Sequence, residues 1–417
     1  MTDAYRQLRA LVLERVETSR VDTEDVDRVR AVAVEAVDTY QRNATLTGER
    51  RLSDPGLMVE RLVRSIVGLG PLTPLLRRSD VEEVFIEGAR VTYLDSGGRL
   101  RGLEEPTSEE ENRHAVDRLL ADTDRRLDRS NPMVQARVLD GTARLTAVVP
   151  PVADRLSATL RRYALRKETL ESLVELDALT PEAAGFLASV MATTSSVVVS
   201  GPPGAGKTSL VAALLNEAPP DHCIRCCEEV RELSVPLLHG SYYETRPPGL
   251  DGGGGIDLRG LVKVVLGMRP DRIVIGEVRG AEAFELTRAV NSGTGFLCTI
   301  HANSAADALA ALVNAALMAG ENIPEAVVRK VFSASIDLVV HLDRDGHGPD
   351  GAIRRGVMEI LAVVPSLHDD FTTQPIFHRS HLGAPLEWTG ALPPPRLAGK
   401  LERATGWTAT NPFEVAR

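Results

Sequence analysis

Lysine is almost missing from this chain. Of 48 basic residues in 417, five are lysines (Lys167, Lys207, Lys263, Lys330 and Lys400) and the remaining 43 are arginines. Aromatic residues are scarce as well, at 4%, too few for the stacking platforms on which proteins hold single-stranded nucleic acid. The net charge is −10, so bulk electrostatics also oppose a nucleic-acid polyanion. Local basic stretches such as "LRRYALRK" (160–167) are still able to meet phosphate. The four cysteines do not spell a metal finger: Cys223, Cys226 and Cys227 have no second Cys/His pair at finger spacing, and Cys298 stands apart. Adjacent residues of a strand face opposite ways, so Cys226 and Cys227 are expected as buried thiols. Long apolar runs are lacking too. The most apolar helix candidate, "ALAALVNAALMAG" (308–320), is interrupted by Asn314 and falls short of the roughly 20 residues a bilayer requires. The opening residues, "MTDAYRQLRALVLERVETSR", are charged and have no signal-peptide core. These absences predict a cytoplasmic protein with no membrane span, associated with a membrane only through partners.

What is present is an ordinary globular balance, 43% hydrophobic and 25% charged, in a chain long enough for two or three domains. Residues 1–50 carry apolar positions at three- and four-residue steps and read as a helical region. Residues 51–166 mix helices with hairpin-like alternation, as in "VEEVFIEGARVTYLDSGGRL", and read as an α/β domain. A helical linker is expected over 167–194. From 195 onward, short β-branched runs alternate with helices, the pattern of a mostly parallel, doubly wound sheet, with a C-terminal subdomain from about 343 to 417.

The chemistry concentrates in "SSVVVSGPPGAGKTSLVAALL". Gly201, Gly206, Lys207 and Thr208 match G-x-x-x-x-G-K-[ST] between a β-run and a helix. Phosphate oxygens need converging backbone N–H groups, a helix N-terminus and a mobile cation. Gly204 and Gly206 supply backbone freedom, the amides from Gly204 through Ala205 to Ser209 the cradle, Lys207 the charge and Thr208 a hydroxyl for Mg²⁺. A second apolar run, "RIVIGE", ends on Glu277, suited to orienting an attacking water. A third, "HCIRCCEEVREL", ends on Glu228 and Glu229, with Glu232 three residues on. Strand carboxyl ends line up on the ligand-binding edge of a parallel sheet, so Glu228 and Glu229 are expected to hold Mg²⁺ together with Thr208. "NSGTGFLCTIHANS" leads into a strand ending at His301, a candidate phosphate or charge sensor, and Asn303 or Ser304 is expected to cap the following helix.

In order along the chain, "GLGPLTPLL", "EEVFIEG", "DGTARLTAVVPPVA", "LRRY", "SGPPGAGKTSL", "EEVREL", "ETRPPG", "RPDRIVIGEVRG", "TIHANS" and "SASIDLVVHL" resemble the type II/IV secretion ATPases. Within them they are most similar to the CpaF-like branch, the motors of tight-adherence (Tad/Flp) pili. The resemblance implies a RecA-like P-loop core behind a mixed α/β N-terminal domain, ATP and Mg²⁺ as cofactors, and a hexameric ring. It also implies inner-membrane pilus platform proteins as partners, pilin as the indirect cargo, and no nucleic acid. It makes Lys207, Glu277, Glu228, Glu229 and His301 catalytic, with nucleotide-reaching arginines at Arg144, Arg246 and Arg161, the last followed by Arg162 as an alternative. In the family Gly normally precedes the catalytic Glu, so Gly276 conforms. "NSGTGF" departs from the usual Asn-Thr-Gly-His-x-Gly and lacks its histidine. Two readings from other classes compete: a RecA-like nucleic-acid translocase and a non-hydrolysing nucleotide-binding scaffold.

Overall fold

Leu8, Val12 and Val16 recur at helical spacing, and burying that stripe brings the first helices together. α1 (Asp3–Thr18), α2 (Val26–Thr47) and α3 (Pro55–Val67) share one apolar core built on Tyr5, Leu8, Val29, Ala33, Leu62 and Ile66. Asp25 and Asp54 begin α2 and α3 by accepting the N–H groups of Arg28 and Leu57. α3, assigned by sequence to the following α/β stretch, thus packs with the N-terminal helices. The computed structural model describes residues 3–22, 25–48, 50–96, 98–162, 168–235, 237–246, 248, 253–291, 293–344, 354–366, 370–406 and 408. It separates into two units, residues 1–164 and 165–417.

The first unit continues with α4 (Leu72–Arg77), β1 (Val81–Glu87), β2 (Arg90–Asp95), β3 (Leu100–Gly102), α5 (Glu109–Leu120), β4 (Met133–Val138), β5 (Ala143–Val148) and β6 (Ser157–Arg162). The strands form an antiparallel sheet in the order β3-β2-β1-β6-β5-β4. Alternation sends Val84, Ile86, Leu145 and Leu160 into a core with α4 and α5. The opposite face carries Arg137, Arg144 and Arg161 in one cross-strand row. Tyr5 ties the helical layer to α5 through a 2.5 Å hydrogen bond to Glu111.

The second unit opens with α6 (Leu170–Glu175), α7 (Pro181–Met191), β7 (Ser196–Ser200), α8 (Lys207–Asn216), β8 (Ile224–Glu228) and β9 (Gly240–Glu244). It continues through α9 (Leu258–Leu266), β10 (Arg272–Val278), α10 (Glu282–Asn291), β11 (Gly295–Ile300), α11 (Ala305–Leu317) and α12 (Glu325–Ser335). β12 (Ile336–Arg344), β13 (Arg355–Val364), β14 (Thr372–His378), β15 (Glu387–Trp388) and α13 (Pro395–Thr405) complete it. The sheet order is β15-β14-β13-β12-β7-β11-β10-β8-β9. It is parallel from β12 to β9 and antiparallel from β12 to β15. One core holds residues of α6, α7, α8 and α13, the other residues of α9, α10, α11 and α12, so helices cover both faces.

Two expectations change here. The stretch expected as a linker is built into the second unit: Leu170, Leu173, Phe186 and Leu187 share a core with Val197 and Leu210. The fully buried Arg272 also donates to the carbonyls of Met191 and Ser195, at 3.5 and 3.4 Å, pinning the end of α7 to the sheet. The tail expected as a subdomain is a continuation of the sheet, since β13 pairs directly with β12. Cys226 and Cys227 enter opposite cores as free thiols. No helix among the described residues is long and apolar enough to cross a membrane.

Candidate functional site

The loop between β7 and α8 has the conformation its glycines permit. Gly204 (φ 75°) and Gly206 (φ 96°) take left-handed backbone that residues with a Cβ rarely adopt. Gly206 caps α8, so the amides of Lys207, Thr208 and Ser209 form a helix N-terminus without intrahelical acceptors. Ala205 differs from its expected role: its amide donates to the Pro202 carbonyl at 3.3 Å and its methyl is buried in the core. Gly201 sits against β12, where a Cβ would strike the Leu342 carbonyl oxygen.

Lys207 is nearly buried, and its ammonium donates to the carbonyls of Gly201 and Pro202 at 2.9 and 3.2 Å. It also lies 3.1 Å from Nδ1 of His301, just past β11, while Nε2 of the same ring lies 2.6 Å from Oε1 of Glu277. Lysine only donates, so the tautomer that satisfies both contacts has Nδ1 accepting and Nε2–H donating. Glu277 in turn pairs with Arg279, whose Nη1 donates to Glu229 at 3.0 Å. Lys207, His301, Glu277, Arg279 and Glu229 therefore form one polar chain along the carboxyl ends of β7, β11, β10 and β8. Glu277 is presented by a bulge. The β10–β11 register shifts between Ile275 and Val278, setting Gly276 and Glu277 off the ladder.

The three acids of "EEVREL" separate sharply. Glu228 is buried, and its Oε1 accepts the N–H groups of Glu232 and Leu233 at 3.0 and 3.2 Å. Burial pushes its carboxyl up to about 7. It packs on Gly276, where a Cβ would lie 2.7 Å from its Cγ. Glu229 is exposed and taken by Arg279. The acid that reaches Thr208 is Glu232: the hydroxyl donates to its Oε2 at 3.3 Å. The donor set expected for Mg²⁺ (Thr208, Glu228, Glu229) is thus not what this structure assembles. Thr208 with Glu232 supplies the hard oxygen donors that Mg²⁺ favours, of the kind that hold it beside phosphates. Glu232 was visible in the sequence, but nothing there showed that a turn anchored on Glu228 would turn it toward Thr208.

Arg144 and Arg161 belong to the first unit and Arg246 to the second. Arg144 and Arg161 are direct cross-strand neighbours on the face of the first unit's sheet opposite its core, and Arg161 lies 3.6 Å from Glu83. Arg162 takes the other face, with its guanidinium on the Arg78 carbonyl, which separates the two alternatives. Arg246 is exposed and pairs with Ile256 through its backbone. Its side chain makes no hydrogen bond or ion pair to the Lys207–Glu277 chain among the described residues. In the altered loop, Ser292 lies outside the described residues. Thr294 bonds the Pro270 carbonyl at 3.1 Å, and Ser304, rather than Asn303, caps α11.

The family model described as "Type II/IV secretion system protein" matches residues 71–346. A Mycobacterium tuberculosis protein named for conjugal transfer is 33% identical over 310 residues, covering 72% of this chain and 86% of that protein. The type IV secretion system protein PtlH of Bordetella pertussis is 31% identical over 326 residues, covering 69% and 92%. Among solved structures, the ATPase DotB of Yersinia pseudotuberculosis aligns with a TM-score of 0.51 at 16% identity, over 70% of this chain and 78% of that one. That likeness is one of fold, the RecA-like P-loop core.

Proposed function

The chain belongs to the type II/IV secretion system protein family, and from that premise we propose that it is an ATP-hydrolysing secretion motor, of the kind that assembles Tad/Flp pili. The observation that carries the reading is the Lys207–His301–Glu277 chain beside a phosphate loop. Lys207 now rests on the loop's own carbonyls, contacts that phosphate oxygens would replace. Glu277 sits where a carboxylate orients the attacking water, once Arg279 and His301 release it. Thr208 and Glu232 would hold Mg²⁺, which when bound neutralises phosphate charge. Arg144, Arg161 and Arg246 are assigned to the phosphates of a hexameric ring. That ring would work at the cytoplasmic face of the inner membrane, on platform proteins and through them on pilin. The ordered motif blocks of the sequence support the Tad/Flp branch.

Phosphate release measured against protein concentration, for the wild type and Glu277→Gln, tests the enzyme. The expected result is specific activity that rises with concentration, and a variant that binds ATP but loses about 100-fold or more in turnover. Unchanged turnover in the variant removes Glu277 from the chemistry. Flat activity removes the shared-site role of the arginines. A strain lacking the chain should lose surface pili and keep DNA transfer; the reverse phenotype rejects the pilus branch.

A further inference from the structure

β12 runs beside the phosphate loop on the side away from His301 and Glu277. The sheet order is β12-β7-β11-β10, so β7, which feeds the loop, has the reacting end on one flank and β12 on the other. Alternate residues of a strand share a face, and Leu338, Val340 and Leu342 all join the core that holds Ala205 and α8. Arg344 is the next residue in that series. Leu342 meets the loop at Gly201, and two residues on Arg344 reaches Gly204: a Cβ there would lie 2.9 Å from Arg344 Nη1. The guanidinium is exposed and has no carboxylate partner among the described residues. Asp343 next to it is occupied, accepting the Arg344 amide at 2.8 Å.

Arg355 of β13 lies directly opposite Arg344 in the antiparallel ladder. Like charges facing each other across strands repel, and an anion between them converts that cost into attraction. Arg355 Nε is also buried without a hydrogen-bond partner. Two arginines paired across the ladder, one of them reaching the phosphate loop at Gly204, form a placement that a polyanion completes.

We infer that Arg344, with Arg355 beside it, is a phosphate-binding residue of the nucleotide site. It grips the diphosphate portion that remains after the terminal phosphate leaves. The inference rests on the nucleotide reading above and adds to it a role in nucleotide retention. Because Arg344 lies on the flank away from Glu277, it binds ATP and ADP alike, and its loss falls on KM rather than kcat.

The test is ADP binding by calorimetry to the full chain, for the wild type, Arg344→Ala and Arg344→Lys, with KM and kcat for ATP alongside. Arg344→Ala should weaken ADP about tenfold, the usual reach of one charge-assisted hydrogen bond. Arg344→Lys should recover part of the loss, and the difference should shrink with added salt. Equal ADP affinity in the wild type and Arg344→Ala overturns this inference alone. A loss confined to kcat overturns the assignment to the diphosphate. A wild type that binds no ADP overturns the nucleotide reading and this inference with it.

Discussion

Replacing Gly276 by alanine tests how the acidic turn is built. The backbone there is not left-handed, so alanine can adopt it and any penalty arises from space. The new methyl would lie 2.7 Å from Cγ of Glu228 and 3.2 Å from its Oε1, against an ordinary contact of roughly 3.5–4.0 Å. Glu228 cannot yield freely, because it is buried and accepts the amides of Glu232 and Leu233. Overpacking of this kind costs about 1–3 kcal/mol. For a unit of this size, each kcal/mol lowers the melting temperature by about 2–4 °C, so a fall near 5 °C is expected. Glu228→Ala leaves two amides without their acceptor, at about 1–3 kcal/mol each, and vacates the space the methyl needs. The double variant should therefore melt no lower than Glu228→Ala alone, a coupling that cancels the alanine penalty. Thermal melts of the four proteins complete the cycle. Additive losses would show that the methyl strikes something other than Glu228, and the account of Gly276 would fall.

Two further outcomes follow from the same turn. Burial holds the Glu228 carboxyl near 7 in the folded chain, against an ordinary value of 4.5. At this carboxyl the native state then binds more protons than the unfolded chain between those values, so its contribution to stability is fully present below about 4.5 and is lost as pH rises through about 7. Urea midpoints of the nucleotide-free protein should show that decline, and Glu228→Gln should flatten it; equal slopes reject the buried acid. Glu232→Gln, which weakens the oxygen site at Thr208, should raise the Mg²⁺ needed for half-maximal ATP binding by about tenfold, whereas an unmoved requirement places the metal elsewhere.

The phosphate loop was legible because its chemistry is local. Gly201 to Thr208 are consecutive, and left-handed backbone at Gly204 and Gly206 follows from having no Cβ. Glu277 was legible as a strand end, though the bulge that aims it depends on pairing with β11. The acids of "EEVREL" were not separable, because their fates are set by nonlocal partners: Gly276 beneath Glu228, Arg279 beside Glu229 and Thr208 facing Glu232. The stretch of α6 and α7 reads as a helical linker, although it carries a signal for the packing seen in the second unit. Between Pro181 and Met191 the only charged residue is Glu182, and a helix apolar nearly all round is a buried one.

His301 shows the same limit from the other direction. A solitary histidine at a strand end is weak evidence, because either ring nitrogen can satisfy itself with a backbone group or water. Its weight here comes from having both nitrogens committed, one 3.1 Å from Lys207 and the other 2.6 Å from Glu277. The two partners are 70 residues apart (277 − 207) and meet because β11 lies between β7 and β10 in the sheet. Strand order therefore determines which residues can act together: it sets His301 between the cation and the acid, and Arg344 on the opposite flank. Among the described residues, the contact between Lys207 and Glu277 in this polar chain runs through His301.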